Sequence, residues 1–148
     1  MYATDADLAK YQHRILALLT QVNKTDWADQ HTEAKELIDR DLQVRWYQDK
    51  ALSLGITDAF DPARLLVQTE LNRLGVYKAL ELIYLFLMQD HGNEAFKDQM
   101  KEFKSRYETE FEFVISSGLS YDWDGSGAVS QAEKDSSSEF VGRRLRAF

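Results

Sequence analysis

The chain has 148 residues, 44% of them hydrophobic, and 18 Lys and Arg stand against 25 Asp and Glu for a net charge of −7. A single domain of this size has room for a buried core. The acidic balance argues against a general nucleic-acid binder or a protein of anionic membrane surfaces. The lack of cysteine excludes disulfides, thiol catalysis, zinc–thiolate sites and iron–sulfur clusters. One proline and seven glycines disfavour a turn-dense β-sandwich. Residues 1–5 show no basic or apolar region of a signal peptide, and the apolar run 82–88 is far shorter than the ~20 residues of a membrane span. The chain reads as soluble and intracellular, or released by a route other than secretion.

The apolar spacing is helical almost throughout. Thr4 predicts an N-cap, with Asp5 and Asp7 in the first turn, where the helix dipole favours acids. Leu8, Tyr11, Ile15, Leu19 and Val22 then recur at three- and four-residue steps and predict a first helix as far as residue 22. A second helix is expected from near Asp26 to near Gly55, with Ala34, Ile38, Leu42 and Trp46 on one stripe. Asp61-Pro62 supplies an N-cap acceptor and a proline at the first helical position. It predicts a long third helix over 62–90, about 43 Å at 1.5 Å per residue. The second half of that helix is apolar nearly all round, as in the central helix of a bundle or one also covered by a second subunit. The fourth helix is expected from Asn93 to Gly118. Its stripe of Phe96, Met100, Phe103, Tyr107, Phe111 and Val114 reads as core packing. Its charges, basic early and acidic late, read as a solvated face or as a pairing surface between neighbouring subunits. The expected fold is therefore all-α: a four-helix bundle-like body over 1–118, then a loop, a short helix and an extended tail over 119–148. The last ten residues carry three Arg and one Glu, so they are net +2 and the rest of the chain is −9.

One motif carries chemistry. Residues 122–133 read D-W-D-G-S-G-A-V-S-Q-A-E and fit the twelve-residue EF-hand calcium loop position by position. Asp122, Asp124 and Ser126 take positions 1, 3 and 5. Gly127 takes position 6, where the chain turns sharply. Ala128 would offer its carbonyl at position 7, Ser130 would act directly or through water at position 9, and Glu133 would clamp the ion at position 12. Calcium takes six to eight hard oxygen ligands, and this is such a set. Gly118 ends the preceding helix four residues before position 1, and no second loop is present for pairing, so a structural ion is expected here and not a sensor. The competing reading is that Ser130 and Glu133 form a capping box and that the Asp-Gly and Ser-Gly steps are turns.

No catalytic constellation is found. His13, His31 and His91 are scattered, and neither a G-x-S-x-G elbow nor a separate phosphate-cradling loop occurs. The expectation is that the protein is not an enzyme.

Three features resemble the small α-helical head-to-tail connector proteins of tailed bacteriophages, also called adaptor or head-completion proteins. They are the opening Met1-Tyr2-Ala3-Thr4 followed by Asp7-Leu8, the helical body with its long central helix, and the segment Ser117-Gly118-Leu119-Ser120-Tyr121-Asp122-Trp123-Asp124-Gly125-Ser126-Gly127 before a charged C-terminus. The resemblance implies a structural virion protein of the neck, assembled in the host cytoplasm as a ring of commonly twelve copies beneath the portal protein. Such a ring extends the DNA channel without reading sequence, and offers a platform to the next neck or tail component. The tail matches no docking motif of that family. Phe140, Arg143, Arg144, Arg146 and Phe148 are expected to lodge against the portal on the strength of their charge and aromatic ends alone. The alternative is a stand-alone calcium-binding regulatory module.

Overall fold

The computed structural model describes residues 1–129 and Glu133, the side chains of Asp90 and His91 excepted. The fold is all-α. Its α-helices are α1 (Asp5–Tyr11), α2 (Ala28–Leu42), α3 (Gln48–Leu54), α4 (Asn72–His91) and α5 (Glu94–Ser117). Short 3₁₀ turns cover Ala17–Val22, Pro62–Arg64 and Gln68–Leu71, and a π turn, Gln43–Tyr47, lies between α2 and α3. Among the described residues there is no strand, and an isolated antiparallel bridge pairs Leu65 with Tyr121. Among them, too, no helix is long and apolar enough to cross a membrane.

Two compact units divide the chain: Met1–Ile38 with Leu71–Glu110, and Asp39–Glu70 with the described part of Phe111–Phe148. The composition change at Gly118 falls inside the second unit. In the first, α4 contributes Val76, Ala79, Leu80, Ile83, Tyr84 and Leu87 to a core with Leu8, Ile15, Leu19, Trp27, Ala34 and Phe103. None of the residues 80–88 is fully exposed, in line with the all-round apolar pattern of that stretch. Lys78 breaks the greasy surface of α4 at little cost. Its ammonium lies 2.9 Å from Glu81 and 4.1 Å from the centre of the Tyr107 ring.

Two expected helices are shorter than their periodicity suggests. The first stops at Tyr11, and Gln12 is extended. The buried Trp27 indole N–H donates to the Ile15 carbonyl at 3.1 Å, and Leu19 N–H turns to Leu16 instead. A tertiary partner has replaced the helical one, so residues 17–22 form 3₁₀ structure. The third helix begins at Asn72, not Pro62, and its 20 residues span about 30 Å. Asp61 does cap a turn, accepting from Ala63 N–H at 3.0 Å, but the turn ends at Arg64. There the Arg64 carbonyl and the Leu66 N–H pair with residues 122 and 120. Backbone groups bonded across the fold are not available for an i→i−4 ladder. The α5 boundaries agree with expectation. Asn93 caps the start, with Ala95 N–H on its side-chain oxygen at 2.8 Å, and Gly118 follows the last turn with φ 88°.

The N-terminal residues are built into the first unit. Thr4 and Asp7 form a reciprocal capping box, and the Asn72 amide donates to both the Tyr2 carbonyl and Asp7. Tyr2 and Ala3 are buried against Gly75 in α4. A Cβ at position 75 would lie 2.9 Å from Tyr2 Cβ and 3.1 Å from the Tyr2 carbonyl carbon, where backbone cannot yield cheaply. Glycine to alanine inside a helix ordinarily gains about 1 kcal/mol. Here we expect Gly75→Ala to destabilise by about 1–3 kcal/mol instead, read as a lower urea midpoint. A midpoint at or above that of the wild type would show that the N-terminal segment does not pack on Gly75.

Candidate metal site

The loop after α5 is held from behind by the second unit. Ser120 N–H donates to Glu70 at 3.1 Å, Leu66 N–H to the Ser120 carbonyl at 3.0 Å, and Asp122 N–H to the Arg64 carbonyl at 2.9 Å. Tyr121 forms an isolated antiparallel bridge with Leu65, and its N–H bonds back to the Leu119 carbonyl at 2.9 Å. Tyr121 and Trp123 enter a cluster with Trp46, Tyr47 and Phe60. Trp123 stacks on Tyr47 with centroids 5.5 Å apart and planes 7° from parallel, and Tyr121 meets Trp123 at 4.6 Å and Trp46 at 5.7 Å. Trp46 and Tyr47, adjacent in sequence at the end of the π turn, are both buried. The Tyr121 hydroxyl accepts from Asp61 N–H at 3.3 Å, and the Tyr47 hydroxyl donates to the Asp58 carbonyl at 2.6 Å.

Between the two aromatic residues stands Asp122, 4% exposed. Its carboxylate accepts from Ser126 N–H at 3.1 Å and Gly127 N–H at 2.8 Å, which curls the loop back on position 1. Asp124 accepts from Ser126 N–H at 2.9 Å. The Ser126 hydroxyl and N–H hold the Asp124 carboxyl below its ordinary value. Glu133 reaches back from position 12 and accepts from Trp123 N–H at 2.8 Å and Asp124 N–H at 3.4 Å. Gly125 and Gly127 both take φ > 0, at 73° and 84°. Carboxylate oxygens of Asp122, Asp124 and Glu133 all lie within 4.8 Å of one another.

Of the expected ligands, three carboxylates thus converge. Ser126 sits among them, donating its hydroxyl to the Ala128 carbonyl at 3.0 Å, so positions 5 and 7 face each other. Ser130 lies outside the described residues, as do Phe140, Arg143, Arg144, Arg146 and Phe148. The donor set is all hard oxygen with three formal negative charges, which suits calcium and disfavours softer metals. A hard cation placed there would be held by Asp122 and Asp124 from one end of the loop and Glu133 from the other.

Sequence reasoning placed the carboxylates but not the aromatic bed beneath them. The signal was present in the alternation Tyr121-Asp122-Trp123, an acid between two large aromatic residues. Its partners, Trp46, Tyr47 and Phe60, come from 60 to 80 residues earlier and carry no local mark. No family model, no curated protein and no solved structure matches this chain.

Burial pushes the Tyr121 hydroxyl up to about 12 from an ordinary 10. The neutral phenol is therefore favoured in the folded state. That stability is complete below pH 10 and drains away between pH 10 and 12. Replacing Tyr121 by Phe should lower stability near pH 8 by about 1 kcal/mol, through the lost acceptor for Asp61 N–H. It should also flatten the decline between pH 10 and 12. Urea midpoints followed by tryptophan fluorescence at each pH give the comparison. Parallel declines in the two proteins would contradict the assignment.

Proposed function

We propose that this chain is a structural protein of a tailed-phage virion, a head-to-tail connector, whose loop 122–133 takes one calcium ion as a staple. The observation that carries the cation reading is the convergence of Asp122, Asp124 and Glu133 within 4.8 Å, in a loop whose backbone is pinned to the second unit. A loop fastened in this way gains rigidity from an ion; it has little freedom to swing open as a sensor does. The connector reading rests on the resemblance of the opening residues, the helical body and the segment 117–127. The fold uses two of these as anchors. Tyr2, Ala3 and Thr4 anchor the N-terminus, and Ser120, Tyr121 and Trp123 anchor the loop. In the neck, a ring of these chains would meet the portal protein on one side and a tail component on the other. A net charge of −7 would let DNA slide past without capture. The protein would act by shape and assembly and not as an enzyme. The other reading, a stand-alone calcium-binding regulator, shares the site and predicts a large calcium-driven change of shape.

Calorimetry of the full chain with calcium chloride should give one ion per chain, with a dissociation constant below about 10⁻³ M. Terbium, a calcium stand-in, should luminesce on excitation of Trp123 beside the site. Asp122→Asn and, as a variant that leaves the buried position intact, Glu133→Gln should each weaken binding at least tenfold. Absence of binding at millimolar calcium would reduce the loop to a turn and a capping box. Large calcium-dependent changes in scattering or far-UV circular dichroism would favour the regulator.

Deleting residues 140–148 should abolish co-sedimentation with portal rings and leave the melting temperature of the body within about 2 °C of the full chain. Retained portal binding would remove the docking role from Phe140, Arg143, Arg144, Arg146 and Phe148.

A further inference from the structure

A polar pocket of about 200 Å³, open to solvent, lies wholly within the first unit and is lined by Tyr77 of α4 and by Ser105, Arg106, Thr109 and Glu110 of α5. The four α5 positions stand on adjacent turns, so their side chains share one stripe. A helical hydroxyl commonly bonds back to the carbonyl four residues earlier, and those of Thr32, Ser116 and Ser117 do so. The hydroxyls of Ser105 and Thr109 make no hydrogen bond among the described residues. Glu110 is half-buried, and burial pushes its carboxyl up against the opposing charge of Arg73. Its carboxylate also accepts no hydrogen bond among the described residues. Arg106 uses Nε on Glu102 at 2.9 Å, with its guanidinium 5.2 Å from the centre of the Phe103 ring. Its two Nη groups are left for a ligand. The Tyr77 ring completes the lining and is fixed in place by Tyr11, edge-on at 5.6 Å, and by Phe103 at 6.2 Å.

The charges and the size of the pocket narrow what it can take. Arg106 is paired with Glu102, and Arg73 acts on Glu110, so positive and negative charge balance around it. An anion would meet the Glu110 carboxylate, and a cation would meet two guanidinium groups. An apolar ligand would cover a half-buried carboxylate and two hydroxyls without satisfying them. A neutral ligand rich in hydroxyls both donates and accepts, and so answers every group. A cavity of about 150 Å³ takes one benzene ring, so the space here suits a single six-membered ring with its substituents. We propose that this pocket binds a neutral sugar ring, with Glu110 accepting from its hydroxyls, Arg106 donating to them, Ser105 and Thr109 exchanging hydrogen bonds with them, and Tyr77 packing on its C–H surface. The site is independent of loop 122–133 and of the connector reading.

The test follows backbone amide signals of the full chain by nuclear magnetic resonance during titration with D-glucose, D-galactose and N-acetyl-D-glucosamine. At least one sugar should shift the amides of residues 77 and 105–110 in a saturable way, with a dissociation constant on the order of 1–10 mM for a ligand of this size. Dextran, in which the rings are joined, separates the two sources of such a ring: shifts with dextran as well point to a polysaccharide, and shifts with the monosaccharides alone point to a free sugar. Thr109→Val, which removes only the exposed hydroxyl, should weaken binding about fivefold, and Glu110→Gln about tenfold. Should Glu110→Gln fail to fold, Ser105→Ala takes its place with an expected loss of about fivefold. No shift at these amides with any of the sugars at 50 mM overturns the proposal. So does sugar binding of equal strength in the variants. Shifts there with sodium phosphate or glycine and none with the sugars would show a site for ions, and would overturn it as well.

Discussion

Two backbone hydrogen bonds, Asp122 N–H to Arg64 and Leu66 N–H to Ser120, tie together stretches more than fifty residues apart in sequence. Much of the second unit follows from them. They end the turn begun at Asp61-Pro62 and so divide what would be one long helix into a 3₁₀ turn, an extended link and α4. They flank Tyr121, whose ring and that of Trp123 enter one aromatic cluster. Closing a loop of this length is entropically unfavourable. The offset comes from the aromatic contacts it permits among Trp46, Tyr47, Phe60, Tyr121 and Trp123, each pair contributing on the order of 0.5–1.5 kcal/mol beyond burial.

The same constraint shapes the chemistry of the loop. Position 1 of an EF-hand-like loop ordinarily continues a helix, which aims the first carboxylate. Here α5 ends at Ser117, and Gly118 turns the chain away. The aim is supplied by a bridge to another segment instead. Asp122 is buried, and a buried carboxylate must find donors. Ser126 and Gly127 provide them, and the loop closes over position 1 as a result. The bridge to Arg64 thus fixes the backbone of Asp122, and the loop's own N–H groups curl the rest around it.

The first unit follows a different logic, in which polar groups at helix ends direct apolar packing. The Thr4–Asp7 capping box starts α1, and Asn72 joins that cap to the start of α4 through Tyr2 and Asp7. Asp5 continues the theme. It lies 2.9 Å from the buried His31 ring and accepts from Trp27 N–H at 3.4 Å, so the first turn of α1 is also bound to the start of α2. His31 has a core role, consistent with the absence of any metal-ligand spacing around it. Gly75 is the complement to this anchoring, since its bare backbone makes room for Tyr2 and Ala3.

Sequence alone determined the class of the fold, the extent of α5 and the buried stripe Ala34, Ile38, Leu42 and Trp46. It also determined which carboxylates would meet, because a twelve-residue loop with glycines at its turns brings positions 1, 3 and 12 together by local geometry. Periodicity reports which residues share a face, and that information is complete within a few turns of chain. It does not report where a backbone group will prefer a distant partner. The shortened first helix, broken where the Trp27 indole takes the Ile15 carbonyl, and the shortened third helix, broken where Arg64 and Leu66 bridge to 120–122, were decided by tertiary contacts. So were the aromatic bed under the loop and the position of Arg64, whose contacts join residues that carry no mark of one another in sequence. A hydrogen bond in a buried setting is worth the same to a helix or to a bridge, and only the packing of the folded chain settles which is formed.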